Sequence, residues 1–340
     1  MTFMGRETEL NYLNQHYESH GSRILVVYGQ KGVGKTTLLQ KFSKGKPCAY
    51  YIARSCSDRE QRFQWGQEFL PANRDDKDGL FPEYEEIFAS MTYSVAEEGK
   101  CVLIVDEFHH LIKGEATFFN RLIQYVQACQ RPHFVILCSS AAGWVENNMV
   151  SKIGSAATAI SGFMKIRDLN VRQMQEIFND YSEDDCIQLY SILGGVPGLW
   201  KRTDSRLSAK NNIIWNILNP YSAIYGEMSG CLLEDLRETA VYNTILSSMA
   251  NGSIKLNDMY RHTGFSRAKI SVYLKNLMEI DLVEKIGAGM YRISKPYVRF
   301  YFRFIYSNQS RLEKLTPEQF YLEVVEDAFP GFVREAYRKS

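Results

Sequence analysis

The sequence has little of what marks a secreted, membrane-spanning or metal-stapled chain. Its seven cysteines (48, 56, 101, 129, 138, 186 and 231) are scattered, odd in number and include no C-x-x-C pair. That argues against a disulfide framework and predicts free thiols in a reducing compartment, with Cys101 and Cys138 inside apolar runs. No low-complexity tract points to disorder and no internal repeat is visible. Long apolar runs are missing too. The longest, such as Ile24–Tyr28 and Cys101–Val105, are of strand length and too short to span a bilayer. The opening MTFMGRETEL is polar and charged, unlike a signal peptide. A soluble, cytoplasmic protein without a membrane partner is expected. A charge surplus is absent as well: 40 Lys and Arg against 39 Asp and Glu leave a formal net charge of +1. Any nucleic-acid surface must therefore be local.

What is present is 340 residues, 45% of them apolar, enough for a sizeable core and two or three domains. Ile24–Tyr28 reads as a strand buried on both faces, and a helical stretch follows from Lys35 to Phe42. Ala49–Ala53, Cys101–Val105 and Phe134–Cys138 are further strand candidates, with a weaker one near Met164–Arg167. Helical patterns over about 60–70, 82–98 and 117–129 separate them. Strands alternating with helices predict an α/β fold with a parallel sheet sandwiched by helices. After Asp168 the segments 171–180, 184–193 and 205–218 look helical, a small module of their own. From about 232 come three helices (232–250, 255–262 and 267–280), then two short strands (282–286 and 290–294) joined by Gly287-Ala-Gly289. Helix-turn-helix plus hairpin reads as a winged helix. The expected domains are 1–167, 168–228 (a helical lid), 229–308 (the winged helix) and a helical tail over 309–340, with a helix-like piece at 317–328.

Residues 29–36 read Gly29-Gln30-Lys31-Gly32-Val33-Gly34-Lys35-Thr36, followed by Thr37. This fits G-x-x-x-x-G-K-[ST], the phosphate-cradling loop. A triphosphate needs several backbone N–H groups aimed into one concavity, and glycines let the chain curl without side-chain clashes. The helix that begins near Lys35 adds unpaired N–H groups and a positive dipole end. Lys35 is expected at the β- and γ-phosphates and the Thr36 hydroxyl on Mg²⁺, so the predicted ligands are ATP or ADP with Mg²⁺.

The strand Val102–Val105 ends in Asp106-Glu107, at the sheet edge where ligands bind in open α/β folds. Asp106 is expected to hold Mg²⁺, through water, and Glu107 to orient or deprotonate an attacking water. His109 and His110 read as surface residues at a helix start. The next strand ends at Cys138-Ser139-Ser140, where Ser139 or Ser140 could touch the γ-phosphate or the water.

These motifs, in this order, resemble the ATPase family best represented in archaea, a STAND branch of the P-loop NTPases related to AAA+ proteins. Phe3-Met-Gly-Arg6-Glu-Thr-Glu-Leu10 is similar to that family's opening F-x-G-R-x-x-E-L, and Asp106-Glu107-Phe108 to its D-E-F motif. Gly194-Gly-Val-Pro197-Gly-Leu199 resembles its G-G-[IV]-P segment, and Tyr291–Phe300 the segment that closes its winged helix. The resemblance covers roughly residues 3–308. It implies that Arg6 and Pro197 contact the nucleotide, Pro197 at the base or ribose, and that the chain hydrolyses ATP as a conformational switch. Three departures qualify this. Where relatives carry a Gly-Arg pair after the serine strand, this chain reads Ser161-Gly162-Phe163, with Arg167 and Lys152 as the nearest substitutes. Slow hydrolysis without a partner is expected. Lys295 stands where relatives often have Asp before Pro. Many relatives continue into a nuclease-like domain; here Glu323 and Glu326 alone cannot form such a site, and no nuclease activity is expected.

Residues 251–314 hold twelve Lys and Arg against five Asp and Glu, a surplus of seven that leaves the rest of the chain near −6. Arg267, Lys269 and Lys275, on the candidate recognition helix, are the expected contacts to duplex DNA. A protein partner or self-association is the competing use of the same surface. The aromatic cluster Tyr297, Phe300, Tyr301, Phe302, Phe304 and Tyr306 reads as core. The rival to an ATP-driven switch is a non-hydrolysing scaffold with structural nucleotide.

Overall fold

Continuous apolar runs bounded by glycine or acidic residues build the sheet at the centre of the first half of the chain. The computed structural model describes residues 5–71, 81–95, 98–114, 117–230 and 238–337. They fall into two compact units, one spanning Arg6–Arg167 and the other running from Asp168 onward.

In the first unit β1 (Arg23–Tyr28), β2 (Cys48–Ile52), β3 (Cys101–Asp106), β4 (His133–Ser139) and β5 (Gly162–Lys165) form one sheet in the order β2-β3-β4-β1-β5. Every pairing is parallel. β3 and β4 are buried along their whole length, as strands covered on both faces must be. The first helices are α1 (Glu7–Glu18), α2 (Lys35–Ser43), α3 (Asp58–Phe69), α4 (Tyr84–Tyr93), α5 (His109–Gly114) and α6 (Phe118–Ala128). α3 starts where the Ser57 side chain accepts from Glu60 N–H, with Asp58 and Glu60 in the first turn against the positive dipole end. Trp65 of α3 is fully buried and stacks on Tyr51 of β2 at 4.2 Å between ring centroids. Parallel strands put all their C-terminal tips on one edge, and β4 lies between β1 and β3. The tips of β1, β4 and β3 therefore stand side by side, which is what the site needs.

Some boundaries differ from the sequence reading. The strand expected at Met164–Arg167 lies at Gly162–Lys165, because Leu25–Tyr28 take Gly162–Lys165 as partners. Ser161-Gly162-Phe163 thus opens the edge strand. The helix expected over 82–98 stops at Tyr93. A helix before β1 (α1) was not expected: its pattern is polar, and only Leu13 is buried.

The second unit begins with helices Val171–Ile177 and Glu183–Leu193. The stretch 205–218 is not one helix. It starts at Ala209, capped by Ser208, and widens into a π turn over Ile213–Ile217. The piece expected over 317–328 likewise runs from Pro317–Phe320 into a π turn at Tyr321–Val325. Helices Thr239–Ala250, Leu256–Thr263 and Arg267–Glu279 precede an antiparallel hairpin of β6 (Val283–Gly287) and β7 (Met290–Ile293). The part of the first of these expected over 232–237 lies outside the described residues, as does Cys231. The aromatic run is core: Phe300 and Phe302 are 0% and 1% exposed, and Phe300 meets Phe304, Phe329 and Phe332. One apolar cluster extends from Leu169 to Phe332, so the segments anticipated as lid, winged helix and tail share a continuous core.

Gly194-Gly195 has a steric reason in this unit. Leu169 N–H donates to the Gly195 carbonyl at 2.9 Å, and a Cβ on Gly195 would lie 1.7 Å from the Leu169 carbonyl oxygen. Gly226, inside helix Ala223–Gly230, has no atom within 4 Å of its notional Cβ. Gly195→Ala should cost at least about 2 kcal/mol through forced backbone movement. Gly226→Ala should be neutral or stabilise by up to about 1 kcal/mol. Urea unfolding of the two variants side by side measures both.

Candidate nucleotide site

The loop at the tip of β1 is held on two sides by backbone. Gly29 N–H donates to the Ser139 carbonyl at 3.2 Å, tying the loop's first residue to the end of β4. On the other side a Cβ on Gly29 would sit 2.3 Å from the Ile166 carbonyl oxygen, so only glycine fits. The curl closes at Gly34, whose φ of +104° lets the chain turn into α2. Between them, Lys31 and Gly32 are exposed while Val33 is fully buried. Val33 anchors the loop by its buried side chain, and its backbone is tied within the protein, its N–H donating to the Gln30 carbonyl at 3.4 Å. Lys35 is 6% exposed, and its ammonium donates to the carbonyls of Gly29 at 2.7 Å and Gln30 at 3.1 Å. Thr36 and Thr37 stand exposed in the first turn of α2.

Thr36 and Asp106 come together from distant parts of the chain: Thr36 Oγ1 donates to Asp106 Oδ2 at 3.4 Å. Asp106 is 5% exposed, and its Oδ1 accepts from Glu107 N–H at 2.9 Å. A hydroxyl and a carboxylate are the hard oxygen donors that suit Mg²⁺, which usually takes one or two carboxylates and completes its shell with phosphate and water. The donor set therefore fits the ion. Among the described residues no cluster of three or more His, Cys, Asp or Glu offers an all-protein metal cage.

Two residues that the sequence reading did not place join Asp106 and Glu107. Tyr50, on β2, donates its hydroxyl to Asp106 Oδ2 at 2.5 Å. Burial first, and then the Asp106 carboxylate, push its phenol far above the ordinary value, so it stays a donor. His109, expected on the surface, is 5% exposed. It is turned inward because its Nδ1 lies 3.0 Å from Ser139 Oγ and 3.3 Å from Glu107 Oε2. Ser139, fully buried, also accepts from Ala141 N–H at 3.1 Å. Glu107 sits in the left-handed region, with φ of +52°, costly for a residue with a Cβ. That backbone turn accompanies a carboxylate whose Oε2 accepts from Ser140 N–H at 2.9 Å and Ser140 Oγ at 2.8 Å. The signal for Tyr50 was available only through register: it pairs with Ile104, two residues before Asp106 on the neighbouring strand.

Arg6 reaches the loop from below. Its guanidinium donates to the Val33 carbonyl at 3.1 Å and the Arg167 carbonyl at 2.6 Å, and it pairs with Glu9 at 3.0 Å. Its donors thus go to backbone that supports the loop. Pro197 belongs to the second unit, at the first position of helix Pro197–Trp200, where its fixed φ suits the turn. Arg267, Lys269 and Lys275 also belong there, all exposed on helix Arg267–Glu279.

Arg6→Ala removes the donor shared by two carbonyls, one of them on the loop. A loss of about 2 kcal/mol is expected from leaving these acceptors unpaired, read as a lower melting temperature in the absence of nucleotide. An unchanged melting temperature would show that the strut carries no load.

Comparison with known proteins agrees with this geometry. Residues 3–201 match a family model described as an ATPase domain predominantly from Archaea. An uncharacterized protein of Methanocaldococcus jannaschii, MJECL04, is 24% identical over 350 residues, covering 99% of this chain and 76% of its own. Among solved structures the fold is similar to the Walker-type ATPase PABY2304 of Pyrococcus abyssi, with a TM-score of 0.64 at 18% identity, over 88% of this chain and 96% of that one. It is also similar to the ORC2 protein of Aeropyrum pernix in its ADPNP–ADP complexes, with a TM-score of 0.55 at 13% identity, over 99% and 96% of the two chains. With more than half of its length matched by the family model, and a phosphate-binding loop at the tip of a parallel sheet, the chain belongs to the archaeal-type ATPase family of P-loop NTPases.

Proposed function

We propose that this protein binds and slowly hydrolyses ATP with Mg²⁺, and uses the nucleotide state to control contact with duplex DNA through its basic C-terminal helices. The observation that carries the first half is the convergence of Lys35, Thr36, Asp106 and Glu107 at adjacent strand tips. In this reading the loop's N–H groups and the start of α2 hold the phosphates, and Lys35 exchanges its two carbonyl partners for the β- and γ-phosphate oxygens. Thr36 and Asp106 would hold Mg²⁺, which supplies charge neutralisation at the phosphates. Glu107 is the proposed acceptor of the water's proton, and Ser139, at the end of β4, is proposed to help orient that water. Pro197 is the proposed contact to base or ribose.

Hydrolysis is expected to be slow because the cations near the loop are committed or peripheral. Lys165, at the end of β5, is paired with Glu146 at 2.8 Å. Arg167 is exposed and lends its carbonyl to Arg6. A well-placed arginine is worth about 10³–10⁵ in rate, so its supply by a partner would be the natural control point.

For the second half, helices Thr239–Ala250, Leu256–Thr263 and Arg267–Glu279 with the β6–β7 hairpin support a winged-helix reading. Several of the cations in this stretch are engaged within the protein. Arg292 is bound to Glu284, Arg311 to Glu323, and Arg303 leans on Ala250 and Asn251. What remains exposed on the third helix is Arg267, Lys269 and Lys275 beside Ala268, Ser271 and Val272. Arg267 lies over the Tyr260 ring at 4.3 Å and donates to Asn257 at 2.7 Å, so it is held in one place. A fixed cation beside small side chains is the profile of a helix that enters a major groove.

The second reading, a scaffold that binds nucleotide without turnover, draws on the Glu107 carboxylate being engaged by both Ser140 donors. ATPase rates with and without duplex DNA separate the two.

Lys35→Ala should abolish ATP and ADP binding in titration calorimetry. Glu107→Gln should still bind ATP while turnover falls by about 10²–10⁴. Full turnover in that variant would remove Glu107 from the water-activating role. For DNA, Lys275→Glu should weaken binding to any duplex and lower the slope of log affinity against log salt by about one. A binding constant that stays flat as salt rises would exclude phosphate neutralisation.

A further inference from the structure

We propose that Tyr50 is a positioning residue for the metal-binding carboxylate: its hydroxyl fixes the plane of Asp106 so that the carboxylate meets Mg²⁺ already oriented. The proposal rests on the reading of Asp106 as the magnesium-holding acid and adds to it a residue outside the recognised motifs.

The placement follows from register. β2 and β3 are parallel, with Tyr50 opposite Ile104 and Ile52 opposite Asp106. Side chains alternate along a strand, so Tyr50, Ile104 and Asp106 share one face of the sheet. A diagonal neighbour two positions on is within reach of a tyrosine ring, and the hydroxyl lands on Asp106 Oδ2 at 2.5 Å. The strands are pinned at this point by Ala53 N–H donating to the Asp106 carbonyl at 2.8 Å, so neither partner can slide away.

The carboxylate needs this second hold. Glu107 N–H fixes Oδ1 at 2.9 Å and the buried Cys138 thiol also touches the carboxylate, but a thiol is a weak donor and leaves Oδ2 without a strong hold. The contact from Thr36 is long, 3.4 Å, and in the nucleotide-bound state Thr36 is itself proposed to turn to the metal. Tyr50, whose hydroxyl also lies beside Thr36, is then the short, strand-borne donor that keeps Oδ2 in place. A phenol suits the task because it donates one proton, carries no charge to compete with the cation and leaves the other lone pair of Oδ2 open. Partners of this kind on metal-holding groups alter metal affinity by about 10–100-fold when removed.

The test uses the full chain and reads binding, not turnover. ADP affinity is measured by calorimetry in EDTA and across a Mg²⁺ titration, with Mn²⁺ and its EPR signal as a direct count of bound ion. Tyr50→Phe keeps the ring and removes only the hydroxyl. It should raise the apparent Kd for Mg²⁺ and Mn²⁺ about tenfold while ADP affinity in EDTA and the melting temperature stay as in the parent. Asp106→Asn is the reference, expected to lose the metal dependence altogether. If Asp106→Asn loses it and Tyr50→Phe does not shift it, Tyr50 has no positioning role and the inference fails while the metal assignment stands. If Tyr50→Phe weakens ADP binding equally in EDTA, its effect is general and the inference fails as well. If neither variant alters metal binding, the assignment of Asp106 falls and takes the inference with it.

Discussion

The arrangement depends on one crowded backbone position. At Gly29 the chain leaves β1 with its N–H on the Ser139 carbonyl and its α-carbon pressed against the Ile166 carbonyl, where a single methyl would lie 2.3 Å from oxygen. That approach locks the start of the loop to the ends of both strands that flank β1. With its base fixed this way, the following residues have to curl outward before α2 can begin, and the curl is what presents N–H groups to an anion. Arg6 completes the frame by bonding the Val33 carbonyl and the Arg167 carbonyl with one planar side chain. The concavity is therefore built before any ligand arrives, and binding does not need to fund its ordering.

The strand order turns this local frame into a site. Inserting β4 between β1 and β3 separates the loop from the Asp106-Glu107 pair by one strand and fills the gap with Ser139 and Ser140. The result is a row: loop, serines, acids, and beyond them Tyr50 on β2. Polar contacts run along the whole row, from Gly29 to Ser139, from Ser140 and His109 to Glu107, from Glu107 N–H and Tyr50 to Asp106. A part-buried network of this kind gains rigidity when its members are satisfied. It also means that the position of Glu107 depends on the end of β4. The backbone strain at Glu107, φ +52°, belongs to the same device, since a relaxed strand ending would carry the carboxylate away from Ser140.

The features visible in the sequence were those with a local signature. G-x-x-x-x-G-K-T specifies a loop through glycine at forced positions, and an apolar strand ending in two acids specifies its own edge. The β-α alternation was legible for the same reason: both periods can be read in windows of a dozen residues. The parts that escaped are set by neighbours far along the chain. His109 reads as surface because it opens a helix, and it is buried only because Ser139, thirty residues later, lies beside it. Tyr50 becomes part of the site through strand register, and Arg6 becomes a strut through carbonyls 27 and 161 residues away. The boundaries that moved have a similar cause. The edge strand shifted to Gly162–Lys165 because β1 dictates its partner, and the helix within 205–218 passes from α to π hydrogen bonding at Ile213.

The shift of that edge strand bears on chemistry. Gly162 and Phe163, where the family resemblance implied a Gly-Arg pair, pair with Leu25 and Val26, whereas the C-terminal tip belongs to Lys165 opposite Tyr28. Position 163 therefore stands two residues short of the ligand edge. Lys165 occupies the tip but is held by Glu146, which also accepts from Tyr28 at 3.3 Å. That pairing is exposed and so weak, worth about 1 kcal/mol or less, and a polyanion could compete for the lysine. A compact ammonium in that position would neutralise ground-state phosphate more than it would follow charge as the transferring group flattens, a task that suits a guanidinium. Under the proposed function, these residues would hold nucleotide better than they would consume it alone. On that reading, the balance would favour a long-lived bound state over rapid turnover.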